Sequence, residues 1–178
     1  MKAAHRTSSL TTRELVLFAM LGTLMYISKV LLEFLPNFHL LGMFTMVFTI
    51  VYRRKALIPV YVCVLLIGLL GGFAAWWIPH LYLWTVLWGV TMLLPRKMPS
   101  KFAVPVYTVV CAMHGLCYGT LYAPAQALLY GLNFQQTIAW IITGFPWDCI
   151  HAIGNLTSSI LILPLVQVLR RLEQTVPR

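Results

Sequence analysis

Val51-Tyr52-Arg53-Arg54-Lys55-Ala56-Leu57 places three consecutive cations between two apolar runs, residues 40–52 and 56–73, neither of which contains a charge. A hydrocarbon core accepts apolar helix but not exposed cations, so such a cluster marks a return to water and a reversal of the chain. Basic residues punctuate the sequence again at Arg96, Lys97 and Lys101, and at Arg170-Arg171. Of the 178 residues, 60% are apolar and only 10% are charged; a soluble domain carries about 25% charged residues. The expected fold is therefore all-α: a single polytopic membrane domain over residues 1–178, embedded in lipid. The net charge of +9 does not indicate nucleic acid, because the basic residues fall in short clusters between apolar runs, as topology signals do.

Six spans are expected, at residues 15–32, 40–52, 56–73, 81–94, 102–122 and 146–169. With that layout 12 of the 13 Lys and Arg residues fall on one side, Lys29 being the exception. By the positive-inside rule both termini are cytoplasmic, with residues 1–13 forming a cytoplasmic tail. Thr11 or Thr12 suits the first helix cap and Glu14 its first turn. The first run follows basic residues as a signal peptide does, but it is long, lacks a small-x-small cleavage site and precedes further spans; it is expected to be retained. Span 2 is short against the roughly 20 residues a bilayer needs. Residues 123–145 are apolar in places yet carry Pro124, Gln126, Asn133, Gln135 and Gln136. They read as an extracytoplasmic cap or re-entrant segment, since a seventh span would put Arg170 and Arg171 outside. Pro146 then suits the first turn of span 6.

Span 6 opens with Gly144-Phe-Pro-Trp-Asp-Cys-Ile-His-Ala-Ile-Gly-Asn155. Asp148, His151 and Asn155 share one helical face, continued by Ser158 and Ser159. A carboxylate at mid-membrane costs about 2.5–3.5 kcal/mol, so Asp148 marks either a polar seam between helices or a ligand site. Tyr107, Cys111, His114 and Tyr118 share a face of span 5, while Trp77, His80, Trp84 and Trp88 recur at helical spacing around span 4. Trp76, Trp77, Tyr82, Trp84, Tyr118, Tyr122 and Trp147 gather towards the extracytoplasmic side, as an interfacial belt or as the wall of a pocket for a flat ligand. Lys29 has three readings: snorkelling to the interface, pairing with Glu33, or facing inward towards Asp148 or an anionic group. The candidate substrate-binding residues are Lys29, His80, Trp84, His114, Tyr118, Trp147, Asp148, His151 and Asn155. Ala19, Gly22 and Thr23 permit close helix approach, within the chain or with a partner.

No catalytic or metal-ligating residue is assigned. Asp-x-x-His recurs by chance, and neither His-Glu-x-x-His nor a phosphate-binding Gly-x-x-x-x-Gly-Lys loop is present. The four cysteines form no Cys-x-x-Cys pair and read as small buried hydrophobes. No cofactor is expected, and any ATP hydrolysis falls to a partner.

Size, six spans, cytoplasmic termini and the interrupted region before span 6 together resemble a substrate-binding S component of an energy-coupling factor (ECF) transporter, the vitamin-uptake branch of ABC transporters. Ala19-x-x-x-Thr23 stands where that family carries an Ala-x-x-x-Ala-like motif, and Pro146-Trp-Asp-Cys-Ile-His-Ala resembles its Pro-x-Asp start of the last helix. The resemblance implies a binding cavity near the outer face, closed by the loops after spans 1, 3 and 5. It also implies a transmembrane coupling subunit, two cytoplasmic ATPases and a prokaryotic plasma-membrane location. The expected ligand is a small water-soluble nutrient, heteroaromatic or zwitterionic. Alternatives are an intramembrane enzyme using Asp148 and His151, a stand-alone small-molecule transporter, and a purely structural membrane subunit.

Overall fold

The computed structural model describes residues 10–175, and these are helical almost throughout. Helix α1 (Thr12–Leu31) starts at a capping box, in which the Thr11 side chain accepts from the Glu14 N–H at 3.2 Å and Glu14 accepts from the Thr11 N–H at 3.1 Å. Helices α2 (Leu41–Tyr52) and α3 (Leu57–Gly71) flank a 3₁₀ turn at Arg53–Ala56. Then come α4 (His80–Leu93), α5 (Ser100–Leu116), α6 (Tyr118–Tyr130), α7 (Phe134–Ser158) and α8 (Ile162–Thr175). Four helical stretches are long and apolar enough to cross a membrane: Thr12–Leu31, Leu41–Gly71, Ser100–Tyr130 and Phe134–Gln174. Helix α4, with 14 residues, is shorter than that.

The basic triplet reverses the chain, as its position between apolar runs predicts. Arg53 sits at φ 55° and ψ −118°, left-handed backbone that a non-glycine residue adopts only in a forced turn. Its guanidinium donates to the Met92 carbonyl at 2.6 Å, and its own carbonyl accepts from Trp88 Nε1 at 3.0 Å. Helices α1 and α3 run parallel: Lys55 pairs with Glu14 at 2.6 Å, and Gly22 lies against Pro59 and Val62 further along both. Helix α2 runs the opposite way, its Tyr52 ring 5.1 Å from Phe18 near the start of α1. We call this the basic end. Thr12, Arg13, Tyr52, Leu172 and Glu173 line one groove there, so both described ends of the chain lie at it.

The shortness of α2 has a packing explanation. Every residue from Leu41 to Ile50 is buried, because α2 is the central helix, touching α1, α3, α4, α5, α7 and α8. A helix apolar all round is a buried one. In contrast, Leu15, Val16, Met20, Leu24, Ile27 and Leu31 on α1 are exposed, an apolar stripe suited to lipid.

One sequence expectation changes. Helix α7 does not begin at Pro146; it starts at an Asn133–Gln136 capping box and passes through that proline. Proline at a helix interior forfeits one backbone bond, here in a stretch whose Ile142 and Phe145 side chains are exposed. Residues 123–145, expected as an extracytoplasmic cap or re-entrant segment, are helical on either side of one turn. They complete α6, turn at Gly131 in left-handed backbone (φ 65°), and open α7. Tyr122 on α6 stacks on Trp140 of α7, with centroids 5.8 Å apart.

Candidate functional site

Helices α5 and α7 pack antiparallel, and polar contacts from α5 and the start of α6 to α7 and the turn that follows it fix the register. Ser159 donates to Thr108 at 2.9 Å, Asn155 Nδ2 donates to the Cys111 carbonyl at 2.9 Å, and the Gly119 N–H donates to Asp148 Oδ1 at 2.8 Å. Two glycines lie at close approaches here, and backbone stands against the first. A Cβ on Gly115 would meet the His151 carbonyl at 2.8 Å, and one on Gly119 would meet Asp148 Oδ2 at 2.5 Å. The stripe read from the sequence is the buried face of α7: Asp148, His151, Asn155 and Ser158 all lie on it.

That register carries His114 and His151 to the end of the bundle opposite the basic cluster, where His39 and His80 also arrive. His39 lies in the connection before α2, His80 opens α4, His114 closes α5 and His151 is midway along α7. Trp84, 1% exposed, is the hub: its ring centroid is 5.7 Å from His39, 6.3 Å from His80, 5.6 Å from His114 and 6.2 Å from Tyr118. His151 stands 5.0 Å from His39 and stacks flat on Tyr118 at 4.3 Å.

Backbone carbonyls set two tautomers, since a carbonyl only accepts. His114 Nε2 lies 3.2 Å from the Leu83 carbonyl and His151 Nδ1 lies 3.2 Å from the Trp147 carbonyl. Each of these nitrogens therefore carries the proton, and as a neutral ring each turns its other nitrogen out as an acceptor. His39, outside the helices, is held neutral: burial, reinforced by neighbouring His151, pushes its pKa down to about 3. His39 Nδ1, His80 Nδ1, Trp84 Nε1 and His114 Nδ1 are buried without a hydrogen-bond partner. Leaving such an atom unpaired costs about 1–3 kcal/mol. Four such atoms gather in one ring cluster, two of them on residues of the first cavity, His39 and His80.

Two adjoining cavities open on this cluster. The first, about 350 Å³, is lined by Lys29, Glu33, His39, Trp76, His80, Tyr118, Tyr122 and His151 among others. The second, about 470 Å³, is lined by Gln126, Trp140, Gly144, Trp147 and Asp148. Both share Pro36, Asn37, Tyr118, Tyr122 and His151, so the Tyr118–His151 stack partitions one larger space. The walls are tied together at their rims: Tyr122 donates to the Trp76 carbonyl at 2.8 Å and Tyr82 to the Leu121 carbonyl at 2.7 Å.

The candidate residues thus divide. Lys29, His80, Tyr118 and His151 line the first cavity, Trp147 and Asp148 the second. Trp84 and His114 sit in the ring cluster behind them, while Asn155 braces α5 and lines neither cavity. Lys29 pairs with Glu33 at 3.1 Å rather than with Asp148. Ala19 and Thr23 face outward on α1, whereas Gly22 is consumed in the α1–α3 contact. Sequence reading missed His39 and Trp140; the signal for His39 was its place beside Pro36 and Asn37, the latter at φ 59°.

Asp148 and His151 do not bond to each other; each takes a backbone partner. Among the described residues no three His, Cys, Asp or Glu side chains are grouped to hold a metal ion. The arrangement can clasp a flat molecule between rings and satisfy its edges. Comparison with protein-family models, with curated proteins and with solved structures returned no match.

Proposed function

We propose that this chain is the substrate-binding S component of an ECF-type transporter, capturing a small water-soluble nutrient for import. The observation that carries this reading is the convergence of four histidines, Trp84 and Tyr118 beside two cavities, with buried polar atoms left unpaired. A largely apolar cavity with a few directed polar groups is the common form of a small-molecule site. In this reading the chain crosses the membrane six times, as α1, α2, α3, α4, the α5–α6 pair and the α7–α8 pair. The basic end is cytoplasmic, which agrees with the placement of Arg53, Arg54 and Lys55 there. Both termini then lie inside, and the cavities face outward in a prokaryotic plasma membrane.

Capture alone does not move a ligand uphill, and this chain has no nucleotide-binding loop. In the ECF reading, import rests on a transmembrane coupling subunit and two cytoplasmic ATPases; the other source of energy is an ion gradient. The exposed Ala19–Thr23 side of α1 offers small residues for the coupling subunit. The deciding experiment is uptake of the co-purifying small molecule by cells with and without the ATPases. Dependence on them is the expected result; undiminished uptake in their absence removes the ECF reading.

A further inference from the structure

The charges at the cavity end do not balance. Apart from histidines, the ionisable acids and bases there are Lys29, Glu33 and Asp148, and the first two neutralise each other at 3.1 Å. Asp148 is 4% exposed, and among the described residues no cationic side chain pairs with it. Its recorded partner is a single backbone N–H, that of Gly119. Buried charges are ordinarily paired, and a carboxylate at membrane depth is costly when it is not. When Asp148 is ionised, the end of the molecule that holds the cavities therefore carries one negative charge with no cationic partner among the described residues, although the whole chain is at +9.

The surroundings of Asp148 narrow what can compensate it. Tyr118, Tyr122, Trp140 and Trp147 line the same 470 Å³ cavity. Aromatic faces attract cations through their quadrupole and disfavour anions. A small hard metal ion is held by about six oxygen ligands, several of them usually carboxylates; this cavity has one carboxylate, Asp148, beside the amides of Asn37 and Gln126 and the hydroxyls of Tyr118 and Tyr122, and no group of three His, Cys, Asp or Glu among the described residues. An organic cation needs only one counter-ion and a set of rings, which is what is present. A neutral ligand would pack against the rings but leave the carboxylate uncompensated.

Resting on the reading of these cavities as a binding site, we propose that the second cavity takes the positively charged end of an organic cation, with Asp148 as its counter-ion. The His39–His80 cavity across the Tyr118–His151 partition receives the uncharged, hydrogen-bonding remainder. Lys29, already paired with Glu33, stands outside the charge recognition.

The test uses the full chain in lipid nanodiscs and a pair of flat probes differing in fixed charge, 1-methylnicotinamide and nicotinamide. Binding is followed by quenching of tryptophan fluorescence. The cation is expected to bind at least about tenfold more tightly than the neutral ring. Asp148→Asn is expected to abolish that preference while retaining the thermal midpoint, because an asparagine oxygen still accepts from the Gly119 N–H. Equal or tighter binding of nicotinamide, no saturable binding of the cation, or a preference that survives Asp148→Asn each overturns the proposal. Uptake separates this from the transport reading. Cation preference without ATPase-dependent uptake keeps the site and discards import, whereas ATPase-dependent uptake of a ligand bearing no positive charge does the reverse.

Discussion

The imidazole of His151 lies flat on the phenol of Tyr118, with centroids 4.3 Å apart and planes inclined by 13°. One ring comes from the middle of α7 and the other from the first residue of α6, and both border both cavities. The stack is therefore a shared wall as well as a clamp between two helices.

Removing either ring should loosen that clamp. Tyr118→Leu and His151→Leu are each expected to destabilise the fold, and the pair should couple by about 0.5–1.5 kcal/mol in a double-mutant cycle. Thermal unfolding in detergent measures it. Strictly additive losses would mean that the stack contributes nothing of its own.

Gly115 and Gly89 provide a contrast. A Cβ at Gly115 would press on the His151 backbone carbon and oxygen at 2.8 Å, and backbone cannot step aside. Gly115→Ala should cost about 1–3 kcal/mol and displace His151 from the cavity wall. Gly89, in α4, has open space around it. There Gly89→Ala should stabilise the protein by about 0.5–1 kcal/mol. Opposite signs in the two unfolding midpoints are the expected result.

The reversal at Arg53 is held by two hydrogen bonds to α4. Trp88→Phe keeps the ring but removes the donor to the Arg53 carbonyl, at an expected cost of about 0.5–1.5 kcal/mol. Arg53→Gly relieves the left-handed backbone while losing the bond to Met92, so it should be milder than Arg53→Ala, which loses the bond and keeps the strain. Ranking the three variants by thermal midpoint checks the account.

His39 predicts a dependence on pH. Its pKa is held at about 3 in the folded protein, against about 6.5 when free. The unfolded chain therefore binds a proton that the folded chain does not. This contribution to stability is complete above about pH 6.5 and declines as pH falls towards 3. His39→Leu should flatten that part of the profile, measured as unfolding midpoint between pH 7 and pH 5. An unchanged slope in the variant would remove His39 as the source.

Much of the architecture could be read before folding. Apolar runs and basic clusters specified helices and the turn at Arg53, and Thr11 with Glu14 announced the start of α1. Three- and four-residue spacing placed Asp148, His151 and Asn155 on one buried face, and likewise Tyr107, Cys111 and His114 on α5. These are local properties, set by the 3.6-residue period and by what lipid excludes. The start of α7 was less legible, because Pro146 resembles a first-turn residue and nothing local reveals that the helix continues through it.

Partnership was decided only by the tertiary structure. Periodicity says which face of a helix is buried but not which residue meets it. Whether Lys29 answered Glu33 or Asp148 depended on where α1 ended relative to α7. Whether Gly22 served a partner or α3 depended on how closely those two helices approached. Asn155 became a brace because the Cys111 carbonyl lay opposite it, whereas Asp148, about two turns away, was left facing a cavity. His39, in a connection with no periodicity at all, entered the ring cluster because α2 is central and delivers its first residues to the middle of the site. Sequence determined the helices, their polar faces and the end at which the cations gather. The packing of α5 on α7 around α2 decided that four separate histidines share one site, because contacts between residues distant in the chain are set by three-dimensional register and not by local spacing.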